Sequence, residues 1–211
     1  MKKSEYEDEN FSNRGNKPLL LVISGPSGAG KDTVLSKIKE RKFPLDFIVT
    51  VTTRPRRLKE KNGIDYHFVS EEEFKKMIVT DKLLEHANVY GNWYGVPKKP
   101  VKQALDEGRD VILKVDIQGA DTIKKILPHA VSIFLATPSM QELTIRLKSR
   151  NTESETDLDL RLNTAIEEMK RRYSFDHIVI NQQHMIDSVI ADIFDIITQE
   201  KKRLTSREYN L

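Results

Sequence analysis

The apolar run Leu19-Leu20-Leu21-Val22-Ile23 is followed at once by Gly25-Pro26-Ser27-Gly28-Ala29-Gly30-Lys31, and then by a helical pattern in which Val34, Leu35 and Ile38 share a face. A buried strand, a glycine-rich turn and a helix in that order leave few folds open. The glycines let the backbone turn tightly and aim successive N–H groups inward. The helix start adds the positive end of its dipole, and Lys31 reaches the outer phosphates as a mobile point charge. The segment predicts a phosphate loop for a nucleoside triphosphate, with Gly25, Pro26, Ser27, Gly28, Ala29, Gly30, Lys31, Asp32 and Thr33 as its contacts. Such loops end in Gly-Lys-Ser/Thr, the hydroxyl helping to hold Mg²⁺. Here position 32 is Asp and the hydroxyl comes one place later, so Asp32 and Thr33 are the candidate Mg²⁺ ligands.

Further along, short apolar runs alternate with helical patterns, as in a parallel sheet covered by helices. Strands are expected at Leu19–Ser24, Phe47–Thr52, Val111–Val115, Val131–Ala136 and His177–Asn181. Capping boxes at Ser70 with Glu73 and at Ser139 with Glu142 mark two helix starts. A last amphipathic helix runs from about Met185 to Lys202 and buries Ile186, Val189, Ile190, Ile193, Phe194 and Ile197. A chain of 211 residues accommodates one such core with insertions. Residues 52–96 and 146–161 break the alternation, and in an α/β protein a second substrate and a closing lid sit in such insertions.

Composition removes several function classes. The net charge of +3 is too small to imply nucleic acid, and the lack of cysteine excludes disulfides and thiolate metal sites. None of the five histidines stands at metal-ligand spacing. No apolar stretch reaches membrane-spanning length, and residues 1–17 lack the apolar centre of a signal peptide, so a cytoplasmic chain with no membrane partner is expected.

The segment Thr52-Thr53-Arg54-Pro55-Arg56-Arg57 is followed by Asn62-Gly63-Ile64-Asp65-Tyr66-His67-Phe68. Arginine suits bidentate phosphate recognition, and a tyrosine hydroxyl donates to the same group. By itself the cluster also fits a solvated basic loop or a nucleic-acid patch. It is one of a series, with the phosphate loop before it and Gly91-Asn92-Trp93-Tyr94-Gly95 and Asp116-Ile117-Gln118-Gly119-Ala120 after it. From about Pro18 to Lys202 this series resembles guanylate kinase.

The resemblance implies transfer of the γ-phosphoryl of ATP to GMP, giving ADP and GDP, with Mg²⁺ as cofactor and dGMP as a further acceptor, within purine nucleotide metabolism. ATP and GMP are then the partners, with no nucleic acid, in a monomer or homodimer. It also implies an α/β phosphate-loop kinase core, a parallel five-stranded sheet flanked by helices, with a GMP-binding insertion and a small helical lid. On that pattern residues 1–17 are a disordered tail, 18–49, 97–140 and 162–202 the core, 50–96 the insertion, 141–161 the lid and 203–211 a C-terminal tail. Arg54, Arg57, Tyr66 and Tyr94 match the residues that grip the GMP phosphate, and Thr50, Glu85 and Asp116 those that read guanine. Guanine offers N1–H and an amino group to carboxylates, whereas adenine offers an acceptor at N1. Arg146, Arg150 and Arg161 match lid arginines, acting in catalysis with Lys31 and Arg54, and Asn181 matches a position near the adenine of ATP.

Departures from the family pattern are Asp32 after the loop lysine, Lys114 where an acid is usual, Asn151 for a lid glycine, and Val96 where a hydroxyl is frequent. Two readings of these departures stand: Asp32 and Lys114 form an ion pair that keeps the local charge, or Lys114 points elsewhere and Asp32 is a surface acid at the helix N-terminus, where an anion is favourable. Two alternatives stand beside GMP kinase activity: a related kinase with a sugar-phosphate acceptor, and a non-catalytic protein-binding module. Thr50, Glu85, Asp116 and Tyr94 argue against the first, and the intact loop with Lys31 argues against the second.

Overall fold

The computed structural model describes residues 17–149, 155–203, 209 and 211. In chain order its first elements are β1 (Leu20–Ser24), α1 (Lys31–Glu40), β2 (Leu45–Phe47), β3 (Val51–Thr52), β4 (His67–Phe68) and α2 (Glu71–Val79). There follow β5 (Leu83–Val89), β6 (Asn92–Pro97), α3 (Lys98–Asp106), β7 (Asp110–Lys114) and α4 (Ile117–Ile126). The chain then forms β8 (Val131–Ala136), α5 (Met140–Lys148), α6 (Glu155–Lys170), a 3₁₀ turn (Arg171–Ser174), β9 (His177–Ile180) and α7 (Ile186–Lys202).

β1 is buried at every position because it is the middle strand of a parallel five-stranded sheet ordered β2-β7-β1-β8-β9. Side chains alternate across a strand, so β1 feeds two cores. Leu21 and Ile23 share a cluster with Val34 and Ile38 of α1 and Ile190, Ile193 and Ile197 of α7. Leu20 and Val22 point the other way, into a cluster with Val101 and Ala104 of α3 and Ile123 of α4. A third cluster joins Phe134 of β8 to Leu143 and Leu147 of α5 and to Ala165 and Met169 of α6. Both helices start where expected and are capped from the serine side: the Ser70 hydroxyl accepts from Glu73 N–H at 3.1 Å and that of Ser139 from Glu142 N–H at 3.2 Å.

The chain passes from β1 to β2 and β7 on one side, then crosses to β8 on the other. This opens a crevice at the carboxyl end of β1, where ligands bind in sheets of this kind. The loop after β1 lies there. Gly25 at φ 142° is required, since a Cβ on it would meet Leu135 O at 2.2 Å.

Two expectations need correction. Phe47–Thr52 is not one strand: Phe47 pairs with Ile112 in the core sheet, and Val51 pairs with Gly95 and His67 in a second sheet ordered β4-β3-β6-β5. The apolar residues of the run serve two cores in turn, Ile48 packing on the α3–α4 cluster and Val51 against Phe74 and Leu83. The second sheet itself was not foreseen. Its β5–β6 hairpin turns at Tyr90-Gly91, both at positive φ (50° and 77°) as a two-residue hairpin turn requires. Within the stretch expected to be a C-terminal tail, Tyr209 and Leu211 pack on the α3–α4 cluster, and the Tyr209 hydroxyl accepts from Leu20 N–H. Arg150, Asn151 and residues 1–16 lie outside the described residues.

Candidate active site

α1 begins at Lys31, and Val34 N–H to Gly30 O is the first bond of its ladder. The N–H groups of Lys31, Asp32 and Thr33 are therefore surplus to the helix and add to its positive end. The Lys31 ammonium folds back onto the loop, donating to Gly25 O and, at 3.2 Å, to Pro26 O. Burial pushes its pKa below the ordinary lysine value, against the pull of Glu168 and Asp32. Ser27 N–H donates to Glu168 Oε2 at 3.3 Å, so a carboxylate from α6 stands at the anion position of the loop.

Behind the loop, Ala29 uses its N–H on Pro26 O, and its carbonyl accepts from Asn181 Nδ2 at 2.7 Å and Arg146 Nη1 at 3.4 Å. Arg146 also donates to Asn181 O at 2.7 Å and pairs with Glu142. Ala29, Arg146 and Asn181 thus form a brace that sets the loop's shape and do not line the cleft. Arg161 does line it, donating to Ser27 Oγ at 3.2 Å with its guanidinium 5.6 Å from the Tyr90 ring centre. Tyr90, at the tip of the β5–β6 hairpin, thereby faces α6 on the side that carries Arg161 and Thr164.

Across the cleft, the second sheet and the loop before it build another anion cradle. Arg54 lies 5.5 Å from the Tyr66 ring centre and 5.8 Å from that of Phe68, and Tyr66 meets Tyr94 edge-on at 6.0 Å. Glu60 occupies this cradle, accepting from Arg54 Nη2 at 2.7 Å and from Arg57 N–H at 2.8 Å. Burial opposes the Glu60 charge, but these donors outweigh it and hold its carboxyl below the usual range. Each anion site of the free molecule is therefore filled by an internal carboxylate.

Deeper in the cleft, Glu85 on β5 and Asp116 at the start of α4 form an acidic pair. Glu85 is 4 % exposed and its Oε2 has no hydrogen-bond partner. Burial, then the nearby Asp116 charge, pushes its pKa up to about 8, with the Val96 N–H opposing. Asp116 is also raised by burial, although it caps α4 by accepting from Gly119 N–H at 2.9 Å. A buried carboxylate oxygen without a donor is costly unless a ligand supplies one. Thr50 lines the same space, but its hydroxyl donates to Lys114 O at 3.3 Å and would have to rotate to reach a ligand. The Val96 side chain is buried in the core, leaving its backbone N–H on Glu85.

Gly119 admits this pair, because a Cβ there would lie 2.7 Å from Glu85 Oε2 and 3.1 Å from Asp116 Oδ1. Gly119→Ala is expected to destabilise the fold by about 1–3 kcal/mol through overpacking. It should also displace Glu85 and weaken ligand binding at this end of the cleft. Thermal unfolding and a GMP titration check both parts.

The Asp32–Lys114 ion pair is present at 2.6 Å, and Lys114 also donates to Tyr66 Oη at 2.9 Å. No group of three or more His, Cys, Asp or Glu among the described residues is arranged to hold a metal ion. A phosphate-bound Mg²⁺ needs only one or two protein oxygens, since water and phosphate supply the rest. Asp32 fits that demand: it is a hard oxygen donor on the cleft wall, 67 % exposed. Thr33 is exposed on the first turn of α1 and does not line the cleft.

Glu60, Tyr90 and Glu168 escaped sequence reasoning. Glu168 follows Arg161 by seven positions and Thr164 by four, which places all three on one face of α6, and that spacing was a usable signal. Glu60 and Tyr90 carried none, because their partners come from other elements. Among the described residues no helix is long and apolar enough to cross a membrane.

Residues 17–200 match the guanylate kinase family model. The chain is 45% identical over 186 residues to a guanylate kinase of Caldanaerobacter subterraneus subsp. tengcongensis, covering 88% of this chain and 89% of the relative. It is 42% identical over 195 residues to a rice (Oryza sativa subsp. japonica) protein named guanylate kinase 2, chloroplastic/mitochondrial, covering 92% of this chain and 68% of the relative. The crystal structure of guanylate kinase from Anaplasma phagocytophilum superposes with a TM-score of 0.72 at 32% identity, covering 90% of this chain and 89% of that one.

Proposed function

The chain belongs to the guanylate kinase family, and we propose the following division of labour for its transfer of the γ-phosphoryl of ATP to GMP. One observation carries the reading. A single cleft holds a phosphate loop with Lys31, then an Arg54–Tyr66–Tyr94 cradle, then the Glu85–Asp116 pair with an unanswered buried oxygen.

ATP binds with its β- and γ-phosphates in the loop formed by Gly25 through Thr33. Glu168 withdraws from Ser27 N–H as they enter, and Lys31 exchanges its loop carbonyls for phosphate oxygens. The GMP phosphate replaces Glu60 at Arg54 and Arg57 and takes further donors from Tyr66 and Tyr94. Glu85 and Asp116 accept from guanine N1–H and the amino group, and Thr50 turns its hydroxyl to O6. The acceptor oxygen is already anionic, so positioning and charge neutralisation suffice and no general base is needed. Arg161 and Arg150 cover the transferring group and exclude water. Arg146 and Asn181 act from behind by bracing Ala29.

Mg²⁺ would be held by Asp32 together with phosphate oxygens and water, with Thr33 as a more distant candidate. When bound it neutralises charge on the β- and γ-phosphates.

We read residues 50–96 as the acceptor insertion, 141–161 as the lid, and 18–49, 97–140 and 162–202 as the core. The cradle grips phosphate and base, so dGMP is also an acceptor. Arg54 is engaged by Glu60 and faces the cleft, which favours a small phosphate over nucleic acid. One chain supplies every residue of this account, so a monomer or homodimer serves equally, in the cytoplasm and in purine nucleotide metabolism.

With ATP, Mg²⁺ and GMP, ADP and GDP should appear in equal amounts, and chelating the metal should stop both. ADP formed without matching GDP would contradict the reading.

A further inference from the structure

Lys114 ends β7 in register with Ile23 of β1, and its side chain lines the cleft where the phosphate loop faces the acceptor cradle. The ammonium lies 2.6 Å from Asp32 Oδ1, 2.9 Å from Tyr66 Oη and 4.2 Å from the Tyr66 ring centre. The lysine side chain is only 18 % exposed.

A lysine ammonium only donates, whereas a phenol donates once and accepts on its lone pairs. The short contact therefore has one polarity: Lys114 gives and Tyr66 receives. The Tyr66 proton must then point away from Lys114, and a hydroxyl polarised by an adjacent cation is the stronger donor. An acidic side chain at position 114 would reverse this by taking the Tyr66 proton for itself.

We propose that Lys114 is a positioning residue for the acceptor nucleotide: anchored on Asp32, it occupies the Tyr66 lone pair and so presents the Tyr66 hydroxyl proton to the phosphate of GMP. The inference rests on the reading of this cleft as a GMP site. It gives Asp32 a task on the acceptor side as well, since the ion pair holds the lysine in place. It also accounts for two departures from the family pattern at once: the acid at 32 and the base at 114 form one device.

The test is titration of the full chain with GMP and, separately, with guanosine, without ATP or metal. Lys114→Met is expected to weaken GMP about tenfold and leave guanosine unchanged, because the effect runs through the phosphate. Tyr66→Phe should give a similar loss, and the double variant little more than either single one. Lys114→Arg should recover most of the GMP affinity. The charge swap Asp32→Lys with Lys114→Asp separates positioning from simple pairing. It should restore thermal stability but not GMP affinity, since a carboxylate at 114 captures the Tyr66 proton.

Unchanged GMP binding in Lys114→Met, equal loss of guanosine, multiplying losses with Tyr66→Phe, or recovery of GMP affinity by the swap would each overturn the proposal. If the Met variant does not fold, the swap and the arginine variant decide the same question. A wild-type chain that fails to bind GMP would overturn the underlying reading instead, which is a distinct result.

Discussion

Replacing Lys31 with methionine is expected to lower kcat by about 10³-fold while leaving GMP affinity close to that of the wild type. The ammonium is the buried cation of the phosphate loop, held on Gly25 O and Pro26 O. Its charge matters most as charge shifts during transfer, so its loss falls on kcat more than on binding. The GMP cradle lies on other elements and should keep its affinity. Steady-state kinetics beside a GMP titration separates the two effects. A loss of kcat below tenfold, or a parallel loss of GMP binding, would place the charge elsewhere.

Replacing Glu85 with glutamine is expected to lower kcat/KM for GMP by about 10³-fold and to remove most of the discrimination against AMP. Guanine presents two adjacent donors, and Glu85 Oε2 is a buried acceptor without one. The same residue sets a pH dependence. With a pKa of about 8 in the free molecule, Glu85 holds a proton at pH 7 and must release it to accept from guanine. GMP affinity should therefore rise with pH up to about 8 and level off above it, and Glu85→Gln should flatten the profile. The stability sign is opposite. Between the ordinary glutamate value of 4.5 and about 8 the folded chain binds a proton that the unfolded chain has lost. Stability contributed by this group therefore falls as pH rises through that window. Titrations and melting curves across pH 5–9 would show both slopes (~1 log unit per pH unit for affinity below pH 8).

The core was readable where the signal was local. Leu19–Ile23 before a glycine turn, the Ser70 and Ser139 capping boxes and the apolar face of α7 each depend on neighbours in the chain, and each has its structural counterpart. Elements that depend on distant partners were not readable. Phe47–Thr52 reads as one strand of β-branched and aromatic residues, yet it changes sheets midway, and nothing local marks that passage. β5 and β6 stayed hidden because a register shift between Leu83 and Glu85 breaks their alternation.

The site divides in the same way. Arg54, Tyr66 and Asp116 stand in ordered motifs and Glu85 lies between two of them, and all four line one cleft. Arg146 and Asn181, expected at ATP, both hold Ala29 O, a contact that only the folded chain creates. Glu60, which fills one anion site, looks in the sequence like any surface acid, and Glu168, which fills the other, carries only its helical spacing from Arg161. The Asp32–Lys114 pair was legible only as one of two readings, suggested by two departures of opposite charge, and the structure has it.

The most direct measurement is ADP formation from ATP and Mg²⁺ with GMP, compared with AMP, CMP, UMP and no acceptor. Rapid turnover with GMP and none above background with the others is the expected result. Equal rates with AMP, or no turnover in a chain that binds both ATP and GMP, would contradict the assignment of Glu85 and Asp116 to guanine and of this cleft to phosphoryl transfer.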